Sequence, residues 1–137
     1  MLVLAGLLLG VRFLPAEKDE SVAWQDLTSQ VGPLTIVHSE QRVFRDRASF
    51  AEYLAPRPAP AVDVSTRQLL LVSPGPRSST GYSVDVVSAR LHGDEIVVRV
   101  RERTPGLEQK VQPRVTYPYR LISLPAGKDV SVDWVGR

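Results

Sequence analysis

Cysteine is absent from the 137 residues of the chain. Disulfides, thiolate metal sites, cysteine nucleophiles and lipid anchors attached through cysteine are therefore all excluded. Asparagine is also missing, and the single methionine is Met1. Depletion of heat-labile residues is a feature of thermophilic proteins. A GC-rich genome would produce a similar bias through its Arg, Ala, Gly and Pro codons, so both explanations stay open.

Strong charge of either sign is lacking as well. The formal net charge is +2, and only three of the basic residues are lysines: Lys18, Lys110 and Lys128. So weak a positive field does not indicate a nucleic-acid partner. Hydrophobic residues make up 43% of the chain, which is ordinary for a single globular domain, and the length is sufficient to bury a core without metals.

Catalytic and cofactor-binding motifs are missing too. The chain has no Gly-x-Ser-x-Gly elbow and no phosphate-binding glycine loop followed by a lysine. The two histidines, His38 and His92, stand far apart and are predicted at a strand end and a hairpin tip, where solvated polar residues are common. We therefore predict a non-catalytic domain with no cofactor and no metal. A hydrolase with an unrecognised site is the alternative.

The N-terminal segment is apolar. Residues 1–11 are all apolar or glycine, and Pro15 and a charged run at 17–20 end the stretch. Fourteen helical residues rise only about 21 Å, against a hydrocarbon core of about 30 Å. We predict that residues 1–16 are a signal peptide or membrane anchor of a bacterial cell-envelope protein, secreted or membrane-anchored, with membrane contact through this segment. The alternative is a buried terminal element of a cytoplasmic domain.

Residues 17–33, which are mostly polar, are predicted to be a linker.

The pattern becomes regular from Leu34. Residues 34–37 form a β-branched run that predicts a strand. Residues 46–54 are predicted to be a short helix, with Asp46 as its N-cap, Phe44 packing back onto Phe50, and prolines from Pro56 ending it. The continuous apolar run 68–72 predicts a central strand buried on both faces.

A β-hairpin is predicted from strands 82–91 and 96–103, with Gly93 in the turn. The apolar positions of the first strand change parity at Val86 and Val87, which predicts a β-bulge that keeps both valines on the core face. In the second strand Arg99, Arg101 and Arg103 recur with period two on the face opposite Ile96, Val98 and Val100. This row is either a solvated sheet face or a basic patch for an acidic partner or anionic headgroups.

Two further strands are predicted at 119–124 and 130–135. The predicted fold class is therefore mainly β (α+β), with one short helix near the start. Its mostly antiparallel sheet of five to six strands is curled toward a barrel or sandwich, and it occupies residues 34–137.

Several stretches occur in an order that resembles a known family. They are Ser49-Phe50-Ala51-Glu52-Tyr53-Leu54, Pro60-Ala61-Val62-Asp63-Val64-Ser65, Leu69-Leu70-Leu71-Val72, Thr80-Gly81-Tyr82-Ser83-Val84, Glu102-Arg103-Thr104-Pro105-Gly106 and Thr116-Tyr117-Pro118-Tyr119. Over residues 34–124 the chain resembles the C-terminal domain of PrcB-type protease-complex subunits. The resemblance implies association with a surface protease that the subunit stabilises. The chain departs from the family in lacking a lipoprotein cysteine and one glycine of the usual pair.

The resemblance singles out two loops as candidate sites. They contain Thr80, Gly81 and Tyr82, and Tyr117, Pro118 and Tyr119. Each residue has a structural interpretation, since Gly81 permits a special backbone angle and the tyrosines can pack with their hydroxyls bonded. The functional hypotheses are a module that binds or stabilises a protein partner and, alternatively, a domain that binds a small molecule or glycan at these loops.

Overall fold

The computed structural model describes residues 20–136. The predicted signal or anchor segment, 1–16, lies outside these residues. Within them no helix is both long and apolar enough to cross a membrane.

Eight strands and two helices make up the described chain. In chain order they are β1 (Glu20–Ser21), β2 (Gln25–Asp26), α1 (Thr28–Val31), β3 (Glu40–Phe44), α2 (Arg47–Leu54), β4 (Arg67–Ser73), β5 (Ser83–His92), β6 (Glu95–Arg103), β7 (Arg120–Pro125) and β8 (Asp129–Trp134). Sheet A has the strand order β1-β5-β6-β8, and sheet B has the order β2-β7-β4-β3. All pairings are antiparallel except that of β6 with β8, which is parallel.

The mainly β, mostly antiparallel class is confirmed, but the predicted count of five to six strands and the predicted curling toward a barrel or sandwich are wrong. Eight strands lie in two four-stranded sheets, and neither sheet closes into a barrel. Three strands were missed: β1 and β2, which are two residues long and too short to show a periodic pattern, and β3, which follows the run 34–37 where a strand was predicted. The division into two sheets arises because the chain leaves sheet B after β4 and enters sheet A at β5.

Sheet B is covered on both faces, as predicted for its central strand. Along β4, Leu69 and Leu71 point into one apolar cluster, and Leu70 and Val72 point into another. The second cluster also contains the inward residues of sheet A, so the two sheets share it. A strand apolar at every position is the sequence signature of such two-sided burial.

Helix α2 covers the far face of sheet B and confirms the predicted helix. Asp46 is its N-cap, and the Asp46 carboxylate accepts a 2.7 Å hydrogen bond from the Ser49 amide. The rings of Phe44 and Phe50 lie 5.3 Å apart, centroid to centroid. Phe50 and Leu54 are buried, so the helix is held by two large side chains facing the sheet.

The polar lead-in contributes structure from Glu20 onward. β1 pairs with β5, β2 pairs with β7, and Leu27 and Val31 are buried against the far face of sheet B. The division of the chain into segment, linker and domain stays a prediction. The strand predicted at 34–37 is wrong: these residues form no strand, although Ile36 is buried. The edge of β4 that such a strand could join is already paired with β3.

The hairpin of β5 and β6 confirms the predicted bulge, since the register shifts between Val86 and Ser88. The prediction that Val87 faces the core is wrong: its side chain is 42% exposed. The extra residue of a bulge is unpaired, and here it is Val87 that turns outward. This outward turn restores Ala89 and Leu91 to the core side.

Candidate interaction surfaces

The outer face of sheet A presents the predicted arginine row. Ile96, Val98 and Val100 are buried, whereas Arg99, Arg101 and Arg103 on the opposite face of β6 are exposed. This alternation is the period of two that a sheet with one covered face requires. The structure therefore places the three arginines together on one open surface.

The three arginines differ in their ion pairs. Arg99 lies 3.3 Å from a carboxylate oxygen of Asp133, and Arg103 contacts the Asp85 carboxylate. Arg101 stands opposite Asp85 in the strand register but forms no ion pair within residues 20–136. Its guanidinium is thus the member of the row that no carboxylate of the described residues neutralises.

A cavity of about 340 Å³ adjoins this row at the bulged edge of β5. We call it the β5 groove, and the side chains that line it are Trp24, Asp26, Asp85, Val86, Val87, Arg101, Arg103 and Arg120. Sequence reasoning missed Trp24, Val87 and Arg120 as members of a site. The bulge at Val86 and Val87 was the available signal, because a bulge re-aims a side chain.

The loop at Thr80 and Gly81 is tied to the connector 104–118. The Thr80 amide donates to the Gln112 carbonyl at 3.1 Å, and the Gln112 amide donates back to the Thr80 hydroxyl at 2.8 Å. Gly81 has φ +98°, and a Cβ there would lie 2.9 Å from Cβ of Pro105. Both the backbone angle and the close approach therefore call for glycine at this position.

Arg77 joins the same loop to β6. Its guanidinium forms two hydrogen bonds to the Glu102 carboxylate, one of them 2.8 Å long, and its backbone bridges to Thr116. The hydrogen bonds to Glu102 raise the pKa of Arg77 above its ordinary value. A two-pronged pair of this kind is the strongest type of side-chain hydrogen bond, and sequence reasoning did not identify it.

Tyr119 belongs to the core. It is 7% exposed, and its hydroxyl donates a 2.5 Å hydrogen bond to the carbonyl of Gly32. Burial raises the pKa of Tyr119 above its ordinary value. The carbonyl of Pro118 accepts a hydrogen bond from the Ser73 hydroxyl at 2.8 Å. These contacts join β7 to the rest of sheet B and to the segment around α1.

The two candidate loops meet through Thr116 rather than through their tyrosines. The Thr116 hydroxyl donates to the Ser79 carbonyl at 2.8 Å. Tyr82 and Tyr117 are half-buried, and the Tyr82 ring lies 6.0 Å from the Arg77 guanidinium carbon. With Tyr119 inside the core, the three tyrosines do not line one open pocket.

A second cavity, of about 380 Å³, lies between β3 and α2. Tyr53 lines it and donates a 3.1 Å hydrogen bond to Glu40, while the Arg42 guanidinium lies 5.1 Å from the centre of the Tyr53 ring. Burial and, next, the nearby Glu40 carboxylate raise the pKa of Tyr53 to about 12. Its polar groups already bind one another, and residues 20–136 contain no cluster of three or more potential metal ligands.

These features define a small two-sheet β domain in which one sheet is covered on both faces and the other is open on one. Residues 69–125 match the model of the PrcB C-terminal family. The match runs from β4 to β7 and includes the hairpin, the Arg77–Glu102 pair and both candidate loops. It confirms, over these residues, the resemblance to the PrcB C-terminal family that the sequence indicates. Comparisons with curated proteins and with solved structures gave no match.

Proposed function

We propose that the chain is a non-catalytic cell-envelope subunit that binds and stabilises a partner protein, a surface protease by analogy with the family's namesake. The observation that carries the proposal is the open outer face of sheet A with its arginine row. The family match supports the association with a protease complex.

The distribution of burial supports the choice of sheet A. Sheet B has apolar clusters on both faces, whereas the outward residues of β6 are exposed or half-buried. Arginine is enriched in protein interfaces because its planar guanidinium forms several directed hydrogen bonds. An acidic partner surface would meet this face with complementary charge.

Envelope location completes the proposal. The apolar segment 1–16 would direct the chain to the envelope and either be cleaved or hold it at the membrane. The chain would then bind its partner at the cell surface, and a subunit that binds only the folded form of a protein raises the stability of that protein.

The alternative, a small-molecule or glycan site at residues 80–82 and 117–119, has less support. Tyr119 is buried and its hydroxyl is already bonded to backbone carbonyls. Thr80 is bonded to Gln112 through both its amide and its hydroxyl. Groups that are already paired within the protein have little capacity left for a ligand.

Site-specific photo-cross-linking in the native cells tests the proposal. A photoreactive side chain at Ser88 reports on the outer face of sheet A, and one at the exposed Glu52 of α2 is the matched control. We expect one protein to be cross-linked from position 88 and not from position 52. Combining Arg99→Glu, Arg101→Glu and Arg103→Glu should abolish that product.

The identity of the partner is tested next. The captured protein should have peptidase activity, and that activity should decay faster on heating when the subunit is omitted. Equal cross-linking from both positions, or a product that survives the triple charge reversal, would contradict the assignment of the surface.

A further inference from the structure

We propose that the β5 groove binds a short, extended, acidic peptide segment of the partner, with an apolar side chain between Trp24 and Val87 and a carboxylate on Arg101. The proposal rests on the proposed function and specifies how the partner would be recognised.

Two of the side chains that line the groove are large, apolar and exposed, and we call them its apolar floor. Trp24 is 38% exposed and Val87 is 42% exposed, and they are two of only six large apolar side chains so exposed within residues 20–136. Both line the same cavity. Tryptophan beside arginine is the composition of interface hot spots.

The bulge in β5 creates this floor. Without the extra residue, the outer face of β5 near Arg101 would carry polar side chains such as Asp85 and Ser88. The bulge places a valine there, next to a tryptophan from the segment that leads from β1 to β2. Val87 and Trp24 thus form a paired apolar surface in one cavity, and it is this pairing, not a single exposed valine, that favours contact with another molecule.

The charge of the groove favours an anionic ligand. It contains three arginines and two aspartates. Arg103 is paired with Asp85, and Arg120 lies 3.3 Å from Asp26. Arg101 has no ion pair within the described chain, so one guanidinium is left to form a two-pronged bond with a carboxylate.

Side chains, rather than strand addition, would provide the recognition. β1 pairs with β5 at Arg90 and Leu91, and the Val22 amide donates to the Ala89 carbonyl, so within residues 20–136 no strand pairs with the β5 edge beside the groove. However, the Val84 carbonyl on that edge already accepts a 2.5 Å hydrogen bond from Arg120, and a bulge disrupts regular pairing. Binding should therefore depend on the charge of the peptide. Binding through backbone pairing alone would not depend on that charge.

Fluorescence anisotropy with the full chain tests the proposal. The probe is a labelled hexapeptide that alternates aspartate and valine, and its matched control alternates lysine and valine. We expect the aspartate peptide to bind, with an affinity that falls as salt rises, and the lysine peptide not to bind. Trp24→Ala and Arg101→Gln should each weaken binding by about tenfold.

Matched variants separate the groove from general surface effects. Val87→Asp should abolish binding, whereas Val37→Asp, at another exposed valine, should leave it unchanged. Arg45→Gln is the corresponding control for Arg101→Gln. Thermal melts of all variants identify any that fail to fold, and Arg101→Gln, a surface change, keeps the test informative if Trp24→Ala unfolds.

Three results would overturn the proposal: equal binding of both peptides, no binding of the aspartate peptide at millimolar concentration, or binding that survives both Val87→Asp and Arg101→Gln. A Trp24-dependent dimer without peptide binding would assign the groove to a second copy of the chain and overturn the proposal as well.

The two proposals can fail separately. If cross-linking from position 88 persists while the groove binds no peptide, the proposed function stands. If the peptide binds but no partner is cross-linked from the outer face, it is the proposed function that is wrong.

Discussion

Sheet A and sheet B contain four strands each, but they bury their residues differently. Sheet B lies between the shared core on one side and α1, α2 and the lead-in on the other, so β4 is buried at nearly every position. Sheet A covers only its inner face, and β6 alternates between buried and exposed residues. Sheet B is therefore the structural centre of the domain, and sheet A has the surface on which residues can serve an interaction without loss of core packing.

The largest effect should separate the two sheets directly. Leu71→Ala removes a fully buried side chain from sheet B and should lower the free energy of unfolding by about 2–5 kcal/mol. Val97→Ala, on the outer face of β6, should cost less than about 1 kcal/mol because its side chain is only half-buried. Chemical denaturation measures both. Comparable losses would show that the outer face of sheet A is covered after all.

Ion pairs on the two faces of β6 provide the next comparison. Glu102 is 13% exposed and binds the 26% exposed Arg77, so Arg77→Met should cost about 1.5–3 kcal/mol by removing two hydrogen bonds to a partly buried carboxylate. Arg99→Met breaks an exposed pair with Asp133 and should cost about 0–1 kcal/mol. The difference in denaturation midpoint between the two variants is the measurement. An Arg99 variant that is the less stable of the two would reverse the comparison.

The connection between the sheets depends on Gly81. Gly81→Val places a β-branched side chain at φ +98° and should cost about 1–3 kcal/mol. The added Cβ would also meet Pro105 and Val111 of the connector at 2.9 and 3.0 Å, so these side chains must move to admit it. Ser78→Val adds the same side chain to the same loop and should cost far less. Equal melting temperatures would refute the requirement for glycine. A stable Gly81→Val protein that no longer captures its partner would instead move this loop to the interaction surface.

Alkaline pH should weaken the packing of α2 on sheet B. The pKa of Tyr53 is raised from 10.0 to about 12 in the folded chain, so the neutral phenol is favoured by folding. This stabilisation is fully present below about pH 10 and is lost as pH rises through about 12. Tyr53→Phe should therefore reduce the fall in melting temperature over that range. The fall should not vanish, because burial raises the pKa of Tyr119 too. Identical pH profiles for both proteins would contradict the assignment.

The smallest effect is expected at the N-terminus, ahead of the edge strand of sheet A. Deletion of residues 1–16 leaves β1 and every other described element in place, so the melting temperature should not change. A differential scanning measurement on the full and shortened chains decides this. Aggregation or a much lower melting temperature in the shortened chain would show that the segment belongs to the core, and the envelope proposal would lose its main support.

Local chemistry explains which elements could be predicted. Asp46 and the following prolines define α2, the apolar run at 68–72 defines β4, and the parity change at Val86 defines the bulge. Each signal lies within a few residues of the structure it specifies. The exposed positions of Arg99, Arg101 and Arg103 follow in the same way from the period of a strand.

Which distant segments of the chain pair with each other was not predictable in this way. β1 and β2 are too short to show a period, and they form because the lead-in lies against β5 and β7. For Tyr119 the sequence left open a packing role and a role in a candidate site, and its contact with Gly32, far away in the chain, places it in the core. The sequence by itself determined the β-rich class, the helix, the hairpin and the arginine row, because local backbone preference and periodicity specify them. Only the tertiary structure decided the split into two sheets, the outward turn of Val87 and its meeting with Trp24, because these depend on contacts between residues distant in the chain.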